Sequence, residues 1–127
     1  MRTSPRRVHI DNVGVVKWLN HIISGQKTVE GRLAAKIKDW NLFPCKQFIL
    51  YGLDDRGDEL EALVEVVDLH IEKDFESLYD RFGDRLVPIP DMNRDKIKSI
   101  YDYYSQEDVE RYGVVGIEIK YIGLWCD

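Results

Sequence analysis

The chain is poor in residues that staple, kink or span. It has only two cysteines, Cys45 and Cys126, and their separation fits no metal-binding pattern. Four prolines, no internal repeat and no low-complexity tract leave no linker within the 127 residues. A single domain over 1–127 is therefore expected, long enough to bury roughly two-thirds of its unfolded surface. No apolar run approaches the ~20 residues of a membrane-spanning helix, so no membrane partner is expected. Met1–Arg7 is basic and has no apolar stretch. It reads as a flexible basic N-terminus rather than a secretory signal. Two thiols in such a chain fit a reducing, cytoplasmic setting. His9, His21 and His70 lack ligand-type spacing, and neither a glycine-rich phosphate loop nor a nucleophile elbow is present. No metal or cofactor is expected. The Asp54–Asp58 run lacks the alternating oxygen ligands and distal Glu of a calcium loop, and reads as a hairpin turn.

Charge is abundant but unevenly spread. The net charge of −5 argues against sequence-blind binding to nucleic acid. Residues 1–50, however, hold nine basic and three acidic side chains, a surplus of +6, whereas 51–127 hold nine and twenty, a deficit of −11. The basic half suits an anionic partner; the acidic half suits solvated helices.

Periodicity gives the elements. Val8–Ile10 reads as a short strand. Asp11 or Asn12 offers an N-cap for a helix with Val15, Val16, Leu19, Ile22 and Ile23 at helical spacing, stopped by Gly25. Lys27–Leu33 reads as strand, Ala34–Pro44 as a connection with room for a helical turn, and Lys46–Tyr51 as strand. Leu60, Ala62, Val64 and Val66 alternate with Glu59, Glu61, Leu63 and Glu65, and the phase then slips to Val67, Leu69 and Ile71, which predicts a β-bulge. Asp74 caps a helix containing Phe75, Leu78 and Phe82 that ends at Gly83. Asn93–Tyr104 has a helical pattern, Ser105 with Asp108 resembles a capping box, and Val114–Trp125 reads as a final strand. Sheet segments interleaved with short helices favour an α+β fold.

The chemistry concentrates at Gly25-Gln26-Lys27-Thr28-Val29-Glu30-Gly31-Arg32. Side chains alternate along a strand, so Glu30 and Arg32 share a face with Thr28, and Lys27 stands at the turn into it. The carboxylate suits exocyclic amino groups and the guanidinium suits carbonyls or phosphate. An exposed salt bridge of ~0–1 kcal/mol accounts for Glu30 and Arg32 equally well but leaves Lys27 without a role. Trp18 and Tyr104 fit core positions. Trp40, beside Lys36 and Lys38, is the aromatic placed best for stacking on a base, which is worth about 1–3 kcal/mol.

Gly25, Lys27, Glu30 and Arg32 together resemble the Gly-x-Lys-x-x-Glu-x-Arg signature of the ASCH domain family, small β-barrels related to the RNA-binding PUA domains. The runs Tyr103-Tyr104-Ser105 and Tyr112-Gly113-Val114-Val115-Gly116-Ile117 are similar to the ending of many bacterial members, so the likeness spans nearly the whole chain. It implies a small, mostly antiparallel PUA-like barrel with helices around it. It also implies an RNA, nucleoside or nucleotide ligand in a cleft lined by Lys27, Thr28, Glu30 and Arg32, with Trp40 beside it. Some members remove the acetyl group of N4-acetylcytidine and others cleave RNA; in that reading Lys27 is catalytic. The amidohydrolase members carry Thr where this chain has Glu30, together with a downstream carboxylate for which Asp84 is one of several options. Lys27 and Arg32 fit both readings, and Glu30 fits recognition better. A third reading is a protein-interaction module of transcription or translation. Relatives carry a Gly-Asp turn where this chain has Phe43-Pro44-Cys45-Lys46.

Overall fold

The computed structural model describes residues 5–10, 17–54 and 56–125. It is an α+β fold built on one five-stranded mixed sheet that curls into a half-barrel. The strands are β1 (Arg6–His9), β2 (Val29–Leu33), β3 (Gln47–Leu53), β4 (Glu59–Glu72) and β5 (Val114–Leu124), in the spatial order β1-β3-β4-β5-β2. Three of the four ladders are antiparallel; β1 runs parallel to β3. The expected antiparallel character therefore holds for most of the sheet but not for its first edge.

The pattern of the sequence explains most of this. β3 and β4 are joined by the expected turn. The Asp54 carboxylate accepts from the Arg56 and Asp58 amides, and Gly57 takes a φ of +83° that other residues rarely adopt. The phase slip in β4 is a real irregularity. Val66 pairs with Ile119 and Asp68 with Glu118, leaving Val67 out of the ladder. A second shift lies between Leu63 and Val64, and together they let a 14-residue strand curl. The concave side is filled by Val8, Ile10, Leu19, Ile22, Phe48, Leu50, Val64 and Val66, all buried.

The helices are short: α1 (Trp18–Ile23), α2 (Lys36–Asp39), α3 (Phe75–Phe82), α4 (Ile97–Ile100) and α5 (Gln106–Tyr112). Asp74 caps α3 by accepting from the Ser77 amide, and Ser105 caps α5 by accepting from the Asp108 amide. Gly116 lets α3 approach the sheet closely. A Cβ there would stand 2.8 Å from Leu78 Cδ1 and 3.0 Å from Val29 Cγ1. Among the described residues no helix is long and apolar enough to cross a membrane.

Three expectations need correction. The strand expected at Val8–Ile10 begins at Arg6, so Arg6 and Arg7 are not a flexible tail; Arg7 is held by Glu59 and Glu61 of β4. The helix expected over Asn93–Tyr104 is a 3-10 turn (Arg94–Lys96) running into the four-residue α4, after which the chain turns and gathers Tyr101, Tyr103 and Tyr104 into one cluster. β2 begins at Val29, not at Lys27. The expected caps Asp11 and Asn12, with Val15 and Val16, lie outside the described residues.

Candidate functional site

β1 and β2 are the two edges of the sheet, and the candidate site lies where they face each other. Arg32 on β2 reaches across this gap, its guanidinium donating to the His9 carbonyl of β1 at 3.1 Å. Along β2 the register pairs Glu30 with Ile117 and Arg32 with Val115, and Gly31 with Gly116 on the other face. Alternation thus turns Glu30 and Arg32 together away from α3, as the sequence implied.

Burial sets this cluster apart from a surface salt bridge. Lys27 is only 2% exposed and Glu30 only 6%. The Lys27 ammonium donates to the carbonyls of Val29 and Leu86 and lies 3.9 Å from Glu30 Oε1 and 5.0 Å from the Trp18 ring. Glu30 Oε1 accepts from the Gly31 amide, and Glu30 Oε2 lies 3.7 Å from the Arg32 guanidinium, within ion-pair range but beyond a hydrogen bond. Two buried atoms, Glu30 Oε2 and Arg32 Nε, make no hydrogen bond among the described residues. Around them Ile10, Trp18, Ile100, Tyr101 and Tyr103 complete a recess of about 30 Å³, and Tyr103 is 63% exposed at its lip.

The electrostatics follow from this burial. Desolvation lowers the Lys27 pKa to about 8, assisted by Arg32 and opposed by Glu30. For Arg32 burial opposes the charge, but Glu30 and the tyrosines Tyr104, Tyr103 and Tyr101 outweigh it, and the pKa rises. Tyr101 and Tyr103 are both pushed up, first by burial and then by neighbours that include Glu30. The site therefore holds an amine that titrates just above neutrality, beside the Glu30 carboxyl group and a guanidinium that stays charged.

Of the residues the sequence marked, the structure brings Lys27, Glu30 and Arg32 together. Thr28 goes elsewhere. It precedes β2, its hydroxyl accepts from Arg85 Nε at 2.9 Å, and Arg85 in turn pairs with Glu118, which meets His70. The alternation that placed it beside Glu30 fails because the strand has not yet begun. Trp40 follows α2 and lies 5.3 Å from the Arg32 guanidinium and 5.5 Å from Lys36, bracing the guanidinium instead of lining the recess. Asp84 is exposed in a 3-10 turn, in a shallow depression with Gln26, Pro88 and Pro90. Among the described residues lining the recess, Glu30 is the one carboxylate. The recess also uses Tyr101 and the core-assigned Trp18; the clustered tyrosines at 101, 103 and 104 were the available signal.

No family model matches the chain, and no curated protein matches it significantly. Solved structures do. The crystal structure of the hypothetical protein PH0355 is similar over 93% of this chain and 99% of its own, with TM-score 0.73 and 22% identity. The solution structure of PF0455 from Pyrococcus furiosus is similar over 93% of this chain and 97% of its own, with TM-score 0.65 and 21% identity. Protein EF3133 from Enterococcus faecalis V583 is similar over 94% and 77%, with TM-score 0.62 and 14% identity. At these identities the likeness is one of fold.

Proposed function

We propose that this chain is a PUA-like recognition module of the ASCH type that binds RNA or a modified nucleoside at the Lys27–Glu30–Arg32 recess. The observation that carries the reading is the pair of buried, unbonded atoms Glu30 Oε2 and Arg32 Nε. Leaving a buried donor or acceptor unmet costs ~1–3 kcal/mol each. A ligand edge that carries a donor beside an acceptor recovers that cost, and base edges are built this way. The recess is too small for a whole ring. The edge of a base fits it, with the ring left to stack on the exposed Tyr103.

Hydrolysis is less well supported. The Thr of the amidohydrolase members is replaced here by Glu30, the neighbouring Thr28 is turned to Arg85, and Asp84 does not line the recess. A thermal-shift screen against nucleosides, with acetylated and methylated forms and short single-stranded RNA, tests the proposal. A saturable rise in Tm with at least one of these, lost in Arg32→Ala, is expected. No shift with any of them overturns the binding reading. Acetate released from acetylated cytidine, and lost in Lys27→Ala, moves the assignment to catalysis.

A further inference from the structure

We propose that a groove formed by α3, α4 and α5, which shares only Tyr101 with the nucleoside recess among the described residues, docks a cationic side chain carried on a basic peptide. The groove encloses about 250 Å³. Its floor is aromatic. Phe75 and Tyr101, both buried, stack at 4.0 Å with their planes 5° apart, and the partly exposed Tyr104, 5.3 Å from Phe75, offers the open ring. Its rim is acidic, with Asp74, Glu76 and Asp102 against a single ammonium, Lys98.

These carboxylates differ from others on the same surface. Glu72, Asp80 and Glu118 are each met by an arginine. Glu76 and Asp102 make no ion pair or hydrogen bond among the described residues, the charge of Arg94 reaching Glu76 only at longer range, and Asp102 is exposed. Asp74 is engaged by the Ser77 amide; burial raises its pKa, but the Ser77 contacts, then Lys73 and Arg94, outweigh this and hold it below the usual carboxylate range.

Aromatic faces carry negative potential and attract cations, most strongly where carboxylates flank them. Lys and Arg lay an apolar stem on such a floor while the charge stays at the rim. A cleft of this size takes one such side chain. The deficit of −11 over residues 51–127 supplies the longer-range field that steers a basic partner. An anionic ligand would meet three carboxylates and is disfavoured.

The test uses the intact chain, isotope-labelled and followed by amide chemical shifts during titration with a blocked Gly-Arg-Lys-Gly peptide. Saturable shifts at Phe75, Glu76, Asp102 and Gln106 are expected, weakening with added salt and absent with an all-alanine counterpart. In a Glu76→Gln, Asp102→Asn double variant, binding is expected to weaken about fivefold per charge removed. Both substitutions lie at the rim, so an unchanged spectrum certifies the fold. Shifts scattered over the whole acidic surface, or affinity unchanged in the double variant, overturn the proposal. Equal affinity for free argininamide overturns the docking of a peptide. The readout is taken at Phe75, Glu76, Asp102 and Gln106, none of which lines the recess, so failure of nucleoside binding leaves it intact.

Discussion

Lys27 is the residue for which burial has the largest consequence. An ammonium held at 2% exposure loses its hydration, and two backbone carbonyls, Glu30 and the Trp18 ring restore only part of it. Its folded pKa of about 8 lies below the ordinary 10.5. Between these values the unfolded chain binds the extra proton, so stability rises with pH from about 8 upward. The full effect is on the order of 3 kcal/mol. It is cut short near pH 10, where Tyr101, Tyr103 and Tyr104 ionise more easily unfolded than folded and the slope turns downward. Urea unfolding across pH 7.5–10 is expected to show the rise in the wild type and to lose it in Lys27→Met; a flat wild-type profile would refute it. Arg32→Ala strips Glu30 of the nearer of its two cations and the His9 carbonyl of the guanidinium that donates to it. A loss of about 3 kcal/mol in denaturant stability is expected from breaking a buried pair. At this scale the sequence was half legible. Strand alternation gave the shared face of Glu30 and Arg32. The depth of Lys27 was not readable, because it depends on Leu86, 59 residues away, supplying a carbonyl. Thr28 was misplaced because one residue decides whether alternation has begun.

Elements with local signals were readable and those settled by distant contacts were not. The β4 bulge shows itself as a slip in an otherwise regular alternation, and Asp74 and Ser105 announce their caps through side chains that satisfy backbone amides one turn on. The parallel β1 has four residues and no alternation to read; its placement is fixed only by its ladder with β3. The Asn93–Tyr104 pattern ends early as a helix because packing overrides it. Tyr101 stacks on Phe75 and reaches the recess, and Tyr103 joins it there, a convergence of residues two apart that a continuous helix does not allow. Contact between α3 and the sheet depends on Gly116 in the same non-local way. Gly116→Ala drives a methyl to within 2.8 Å of Leu78 and 3.0 Å of Val29. A destabilisation of ~1–3 kcal/mol is expected, with the slope against urea unchanged. A variant as stable as the wild type would show that α3 can retreat at no cost.

For the whole molecule, charge decides how nucleic acid is held. The net charge is −5, and four exposed arginines are already engaged, Arg7 by Glu59 and Glu61, Arg81 by Glu72, Arg85 by Glu118 and Arg94 by Asp80, whereas the exposed Arg6, Arg56 and Arg111 make no ion pair among the described residues. Cations paired in this way release few counterions when a polyanion approaches, and the acidic helices repel it. Within the first fifty residues Lys27 and Arg32 are sunk in the recess and Arg7 and Lys36 are paired with carboxylates, so the basic surplus leaves few free cations for a phosphate track. Its central cation, Arg32, is sunk in the recess between two strand edges with Lys27. Recognition of RNA then rests on the recess and a few phosphates near it, not on a long electrostatic footprint. Each phosphate contact contributes about −0.7 to the slope of log K against log salt for a single strand. We expect a slope no steeper than about −2 for a short single-stranded RNA, and weaker binding still to a duplex, whose base edges are not free to enter so small a recess. Arg32→Ala should lower affinity at every salt concentration while leaving that slope nearly unchanged, because the guanidinium meets a base edge in this reading. A slope of −4 or steeper, or one that flattens by a full phosphate contact in Arg32→Ala, would place the arginine on the backbone and replace edge recognition with phosphate binding.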